Sequence, residues 1–148
     1  MNKKRNLRFV ETEILLFEEL FKRLAENKPA RLTVKDLCEA CGIHRTSFYL
    51  HFRNIRELME GAGVYLMLRF DPDEGLAGLF EFIRENRAFF LPFLSSGHEL
   101  ALGDGSDYPH IFHRAGLSAA AREWLRKGCP ETGKELAGIL AEECRLEL

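Results

Sequence analysis

Residues 32–52 read Leu32-Thr33-Val34-Lys35-Asp36-Leu37-Cys38-Glu39-Ala40-Cys41-Gly42-Ile43-His44-Arg45-Thr46-Ser47-Phe48-Tyr49-Leu50-His51-Phe52, and this stretch decides the fold. Thr33 and Asp36 stand three apart, the spacing at which a hydroxyl and a carboxylate satisfy two unpaired amides at a helix start. Gly42 follows the last residues of that helix, where glycine supplies a left-handed backbone most cheaply. The chain re-enters a helix near His44 that stops around Phe52. Two short helices about a tight glycine turn also occur as plain packing, so the residue types must separate the two readings. The second helix offers Arg45, Thr46, Ser47 and Tyr49 around a single apolar Phe48, and these donors have lengths suited to base edges and phosphates. Tyr49, His51 and Arg53 crowd its end, where a phosphate can accept from a phenol, an imidazole and a guanidinium, with Phe52 as the anchor beneath.

Working outward, Ile14, Phe17, Leu20 or Phe21, and Leu24 recur at helical spacing between Leu7 and Glu26, and Asn27, Lys28 and Pro29 end that first helix. Asn54 and Glu57 repeat the capping spacing and launch a fourth helix through Leu58, Ala62, Tyr65 and Leu66. After Asp71, Pro72 and Asp73 the register restarts, with Leu76, Leu79, Phe80 and Ile83 on one stripe. The run Phe89 to Leu94 is apolar all round and contains Pro92, which leaves either a short buried helix or a kinked continuation. Ser95 to Asp107, with Gly97, Gly103 and Gly105, reads as a loop. Ile111 to Lys127 reads as a helix, Gly128 to Pro130 as a break, and Glu131 to Arg145 as a last helix with Leu136, Ile139 and Leu140 inward. No strand pattern appears. The expected fold is all-α: a reading head over residues 1–57, helix 4 as connector to about residue 70, and a second helical domain over residues 71–148.

The net charge of −2 hides an asymmetry: residues 1–57 carry +4 and residues 58–148 carry −6. Such a split favours an anionic partner for the first part. Cys38, Cys41, Cys129 and Cys144 lie in apolar helical contexts, and Met1 to Arg5 lead into no apolar leader core, so reduced thiols and a cytoplasmic protein are expected. Apolar runs stay well short of the roughly 20 residues that span a bilayer, which speaks against a membrane partner.

The 32–52 stretch resembles the signature of the TetR/AcrR family of transcriptional regulators. It couples the Thr-Val opening of the second helix, the Ala-x-Gly-Ile turn and the closing Tyr-x-His-Phe. The resemblance implies that Thr33 and Lys35 meet the DNA backbone, that Arg45, Thr46 and Ser47 face the major groove, and that Tyr49 and His51 hold phosphates. His44 stands where the family usually has a serine-like cap, and Ile55 where it usually has a lysine; Arg53 or Arg56 is then the replacement phosphate ligand, and His44, Arg53 and Asn54 complete the expected DNA-binding set. The segment Trp124 to Thr132 with the helix after it resembles the end of the C-terminal domain in dihydroxyacetone-kinase-regulator-like members. That implies a homodimer whose last two helices pair with their mates through Ala119, Ala120, Trp124, Leu136, Ile139 and Leu140. The chain is shorter than usual for such relatives between Phe93 and Ile111, where a glycine loop replaces core helix.

Other groupings invite sharper chemistry. Cys38 and Cys41 with His44 nearby have a zinc-like spacing but lack a fourth ligand, and packing thiols explain them. His110 and His113 lack a third ligand, and Asp104 to Asp107 lack the frame of a calcium loop. Phe80, Phe90, Phe93 and Phe112 are candidates to line an effector pocket, although aromatics at helical spacing are more often core. No phosphate loop, nucleophile elbow or His-Glu-x-x-His motif occurs, so neither catalysis nor a cofactor is expected. The function expected is a sequence-specific DNA-binding regulator, acting as a homodimeric repressor on a palindromic stretch of double-stranded DNA, with a small-molecule effector of unknown identity. The alternative is a co-regulator that works through protein contact.

Overall fold

In the computed structural model, residues 3–26, 32–103 and 105–143 are described, and their regular structure is all helix, with no strand among them. The helices are α1 (Lys3–Ala25), α2 (Val34–Cys41), α3 (Arg45–His51), α4 (Ile55–Met67), α5 (Gly75–Glu85), α6 (Arg87–Ser95), α7 (Tyr108–Arg126) and α8 (Gly133–Glu143). A single 3-10 turn, Pro72–Glu74, precedes α5. The chain divides into two compact units, residues 1–65 and 66–148, and the division falls within α4. Asn27, Lys28, Pro29, Asp104, Cys144 and Arg145 lie outside the described residues.

In the first unit, Leu16 and Leu20 of α1, Leu37 of α2, Phe48 of α3 and Leu58 and Ala62 of α4 are fully buried. The Phe17 ring lies between Phe52 at 5.7 Å and Tyr65 at 5.2 Å. A Cβ on Gly61 would stand only 3.2 Å from the Phe52 ring, so the missing side chain lets α4 approach this aromatic layer. Arg23 binds the Glu19 carboxylate at 2.8 Å and the Asp36 carbonyl at 3.2 Å, which ties α1 to α2.

The start of α2 departs from a full capping box. The Asp36 amide donates to the Thr33 hydroxyl oxygen at 3.1 Å, but the Thr33 hydroxyl donates to the Asp36 carboxylate at 2.6 Å, so that carboxylate meets the hydroxyl rather than the Thr33 amide. Aspartate is one methylene shorter than the Glu of the full box, which limits its reach back. At the other end Gly42 takes the left-handed conformation at φ 65°, and the Ile43 amide reaches the Cys38 carbonyl at 3.0 Å. This is a glycine C-cap, and it reverses the chain into α3.

The second unit packs α5 along α8 and α6 against α7. Phe80 meets Trp124 edge-on at 5.6 Å, and the indole N–H donates to the Glu131 carbonyl at 3.1 Å. α6 is a separate short helix, because the chain breaks at Asn86, whose side-chain amide caps the Phe82 carbonyl at 2.9 Å. α7 begins three residues earlier than its apolar pattern suggested. Asp107 accepts from the His110 amide at 3.0 Å, and Pro109 occupies the first turn, where no amide is needed. α8 opens on a complete box: the Glu135 amide donates to Thr132 Oγ1 at 3.2 Å, and the Thr132 amide to Glu135 Oε2 at 2.8 Å. Gly133 sits so close to α5 that a Cβ would lie 2.9 Å from the Ala77 carbonyl, and its amide donates to the Glu81 carboxylate at 2.7 Å.

Candidate nucleic-acid interface

At 3.6 residues per turn, a seven-residue helix can bury one side and present the other. Phe48 is fully buried, and Phe52 follows it inward one turn later. Thr46 and Leu50, also one turn apart, occupy the opposite face; Arg45 and Tyr49 flank them on one edge and half-buried Ser47 on the other. Tyr49 is 56% exposed and Leu50 is 74% exposed. The outward face therefore carries a guanidinium, a hydroxyl, a phenol and one isobutyl group. Leu50 is the member that residue-type reasoning passed over, since it looks for donors; its signal was its position two residues from the buried Phe48.

The remaining candidates divide according to what already holds them. Lys35 is exposed, and its ammonium stands 3.8 Å from Glu39 one turn on, a loose surface pair worth little. Thr33 and Asn54 cap helices: the Thr33 hydroxyl is shared with Asp36, and Asn54 Oδ1 accepts from the Glu57 amide at 2.9 Å. His44 is exposed at the start of α3 and makes no side-chain cap bond. Arg53 is exposed just past the helix, with its backbone amide held by the Glu57 carboxylate.

His51 differs from the expectation of a phosphate ligand. Its side chain is only 5% exposed, its Nδ1 lies 3.3 Å from Glu13 Oε1 on α1, and its ring lies 3.8 Å from that of Phe9. A histidine at the foot of a reading helix looks like a phosphate donor in sequence, but here it turns back into its own unit.

Burial raises the pKa of Cys38, and burial together with the neighbouring Glu19 carboxylate pushes Cys41 up to about 11. These surroundings favour the neutral thiol. Cys41 points its sulfur at the Leu15 carbonyl at 3.8 Å.

In the second unit, Ala119 and Ile139 are exposed, and Ala120, Leu136 and Leu140 are half-buried. Trp124, expected at a seam between subunits, is instead buried beneath Phe80 in its own core, because its N–H needs the Glu131 carbonyl. Nor do the four aromatics proposed for a pocket come together. Phe80, Phe90 and Phe93 are core, while Phe112 is 60% exposed. Phe112 borders a separate cleft of about 340 Å³, lined by Leu76, His113, Leu117, Leu140 and Ala141.

Residues 18–62 match the family model of bacterial regulatory proteins, tetR family. The matched span takes in the last third of α1, all of α2 and α3 and most of α4, which include the helix that presents the outward face. The match supports a DNA-binding transcriptional regulator and points away from an enzyme; it does not reach the second unit. No curated protein matches the chain. Among the described residues, no helix is long and apolar enough to cross a membrane.

Proposed function

We propose that this protein is a homodimeric repressor that reads a palindromic operator with α3. The observation that carries the reading is the outward face of α3, with Arg45, Thr46, Tyr49 and Leu50 exposed over a buried Phe48, inside the tetR-family match. Arg45 suits a bidentate contact to guanine, Thr46 and Ser47 suit either base, and Leu50 suits the methyl of thymine. Tyr49, Lys35, His44 and Arg53 are exposed donors around that face and suit phosphates, and the +4 charge of residues 1–57 adds the sequence-independent part of affinity.

The dimer follows from the geometry of such readers, which place two recognition helices in successive major grooves about 34 to 36 Å apart. Ala119, Ala120, Leu136, Ile139 and Leu140 supply small and apolar surface for that pairing, without Trp124. An effector belongs in the apolar cleft beside Phe112, rather than among Phe80, Phe90 and Phe93. Its volume of about 340 Å³ falls at the small end of ligand sites.

Selection of bound fragments from random or genomic DNA tests the reading directly. The expected result is a palindromic consensus bound with steep salt dependence by a species of twice the 17.0 kDa chain mass. Recovery of no consensus, or a sedimentation mass of one chain at micromolar concentration, rejects it.

One observation favours a second reading, action through protein contact. Tyr108 is 89% exposed at the start of α7, with Ile111 and Phe112 exposed beside it, an apolar face of the kind that meets a partner. Thermal stabilisation by a small molecule separates the readings, since an effector stabilises in proportion to its occupancy.

A further inference from the structure

We propose that Phe9 and Glu13 of α1 form a clamp on His51 that sets the aim of α3, and that Glu13 is thereby a positioning residue for DNA binding. The inference rests on the reading of α3 as the DNA-reading helix. Phe9 and Glu13 are one turn apart, so they share a helix face. The same face continues into Leu16 and Leu20, both fully buried. Glu13 stands at the border of that buried stripe, its side chain 29% exposed and Phe9 45% exposed, so its carboxylate keeps some water while one side of it is free to meet a donor from α3.

His51 is that donor. The Glu13 carboxylate can only accept, so His51 Nδ1 carries the hydrogen in their 3.3 Å contact. Phe9 covers the imidazole at 3.8 Å, and Phe52 lies 6.2 Å from it. With 5% of its side chain exposed, the imidazole has little surface left to offer a phosphate. α3 needs such a hold. It has seven residues, and His44 gives its start no side-chain cap. His51 is its last residue, so a grip there fixes the end that the Gly42 turn does not, and a binding constellation loses function when its support is loose.

The test is an anisotropy titration of the full chain on its selected duplex at several salt concentrations, with E13Q, E13A, F9A and H51N beside R53A. The clamp predicts that E13A, F9A and H51N each weaken binding about threefold to tenfold with the salt slope unchanged, while E13Q, whose amide oxygen still accepts from His51 Nδ1, stays closer to the unmodified chain. R53A, at an exposed phosphate-facing position, should lower that slope by about one. Joining E13A to H51N should add little beyond either alone. A fall in slope of about one for H51N, or unchanged affinity for E13A, overturns the clamp.

The DNA-free protein gives a second measurement that does not depend on the operator. The His51 ring protons should resonate upfield because of the Phe9 ring, and the shift should vanish in F9A. Its absence in the unmodified chain overturns the clamp even if DNA binds. A chain that binds no duplex but keeps the shift refutes the DNA reading and leaves the contact standing.

Discussion

In the first unit the exposed face of α3 presents Arg45, Thr46 and Tyr49 over a sealed aromatic layer, whereas in the second the exposed start of α7 presents Tyr108, Ile111 and Phe112. Both units bury phenylalanine clusters, with Phe17, Phe48 and Phe52 in one and Phe80, Phe89, Phe90 and Phe93 in the other. They differ in what remains outside. A hydrogen-bonding face of one helix is suited to a polyanion that supplies acceptors. An apolar face gains only from another apolar surface or a ligand. One chain thus carries two surfaces of different chemistry on two separate cores.

The largest expected effect tests whether those cores are separate. Phe48→Ala removes a fully buried ring and should cost the first unit about 3 to 5 kcal/mol. Trp124 is the sole tryptophan and sits in the second unit's core, so its fluorescence follows that unit, while circular dichroism follows the helices of both. Phe48→Ala should move part of the dichroism transition and leave the fluorescence transition in place; Phe80→Ala should move the fluorescence transition. If both signals shift together in either variant, the units fold as one and the comparison fails.

The next effects sharpen what the polar face reads. Arg45→Ala should weaken binding to the selected operator by about 1 to 3 kcal/mol and relax preference at one position of each half-site, seen in a competition titration across base substitutions. Leu50 is expected to do less. Replacing the contacted thymine by deoxyuridine removes one methyl and should cost about 0.8 kcal/mol with the unmodified chain and nothing with Leu50→Ala. Equal losses for both proteins remove Leu50 from the reading face.

Much of the first unit was legible because its signals are local. The Thr33 to Asp36 and Asn54 to Glu57 spacings and Gly42 each act within one turn, so α2, α3 and α4 lie where those residues imply. The fate of His51 was not legible, since its partner Glu13 lies 38 positions away and only the packing of α1 on α3 joins them. Trp124 was misjudged for a related reason: its neighbours in sequence suggest a seam, but Phe80 from α5 and the Glu131 carbonyl enclose it. The start of α7 was written in Asp107, Tyr108 and Pro109, a capping residue followed by a first-turn proline, although the glycine-rich segment before it reads more strongly as loop.

The smallest effect concerns α8, whose start is the most completely capped in the second unit. Thr132→Ala removes the acceptor for the Glu135 amide, and because Thr132 is exposed the cost should fall at the low end for a lost cap, about 0.5 kcal/mol. Glu135 makes the same device depend on pH. The Thr132 amide, and after it the Thr132 hydroxyl, bond its carboxylate and lower its pKa. A carboxyl group whose folded value lies below its unfolded one contributes stability above the unfolded value and loses it as pH falls through the folded one. Glu135→Gln should therefore lower the Trp124-monitored melting temperature slightly at neutral pH, and the difference from the unmodified chain should close in acid. A difference that persists unchanged below the carboxylate range would assign the contribution of Glu135 to packing rather than to its charge.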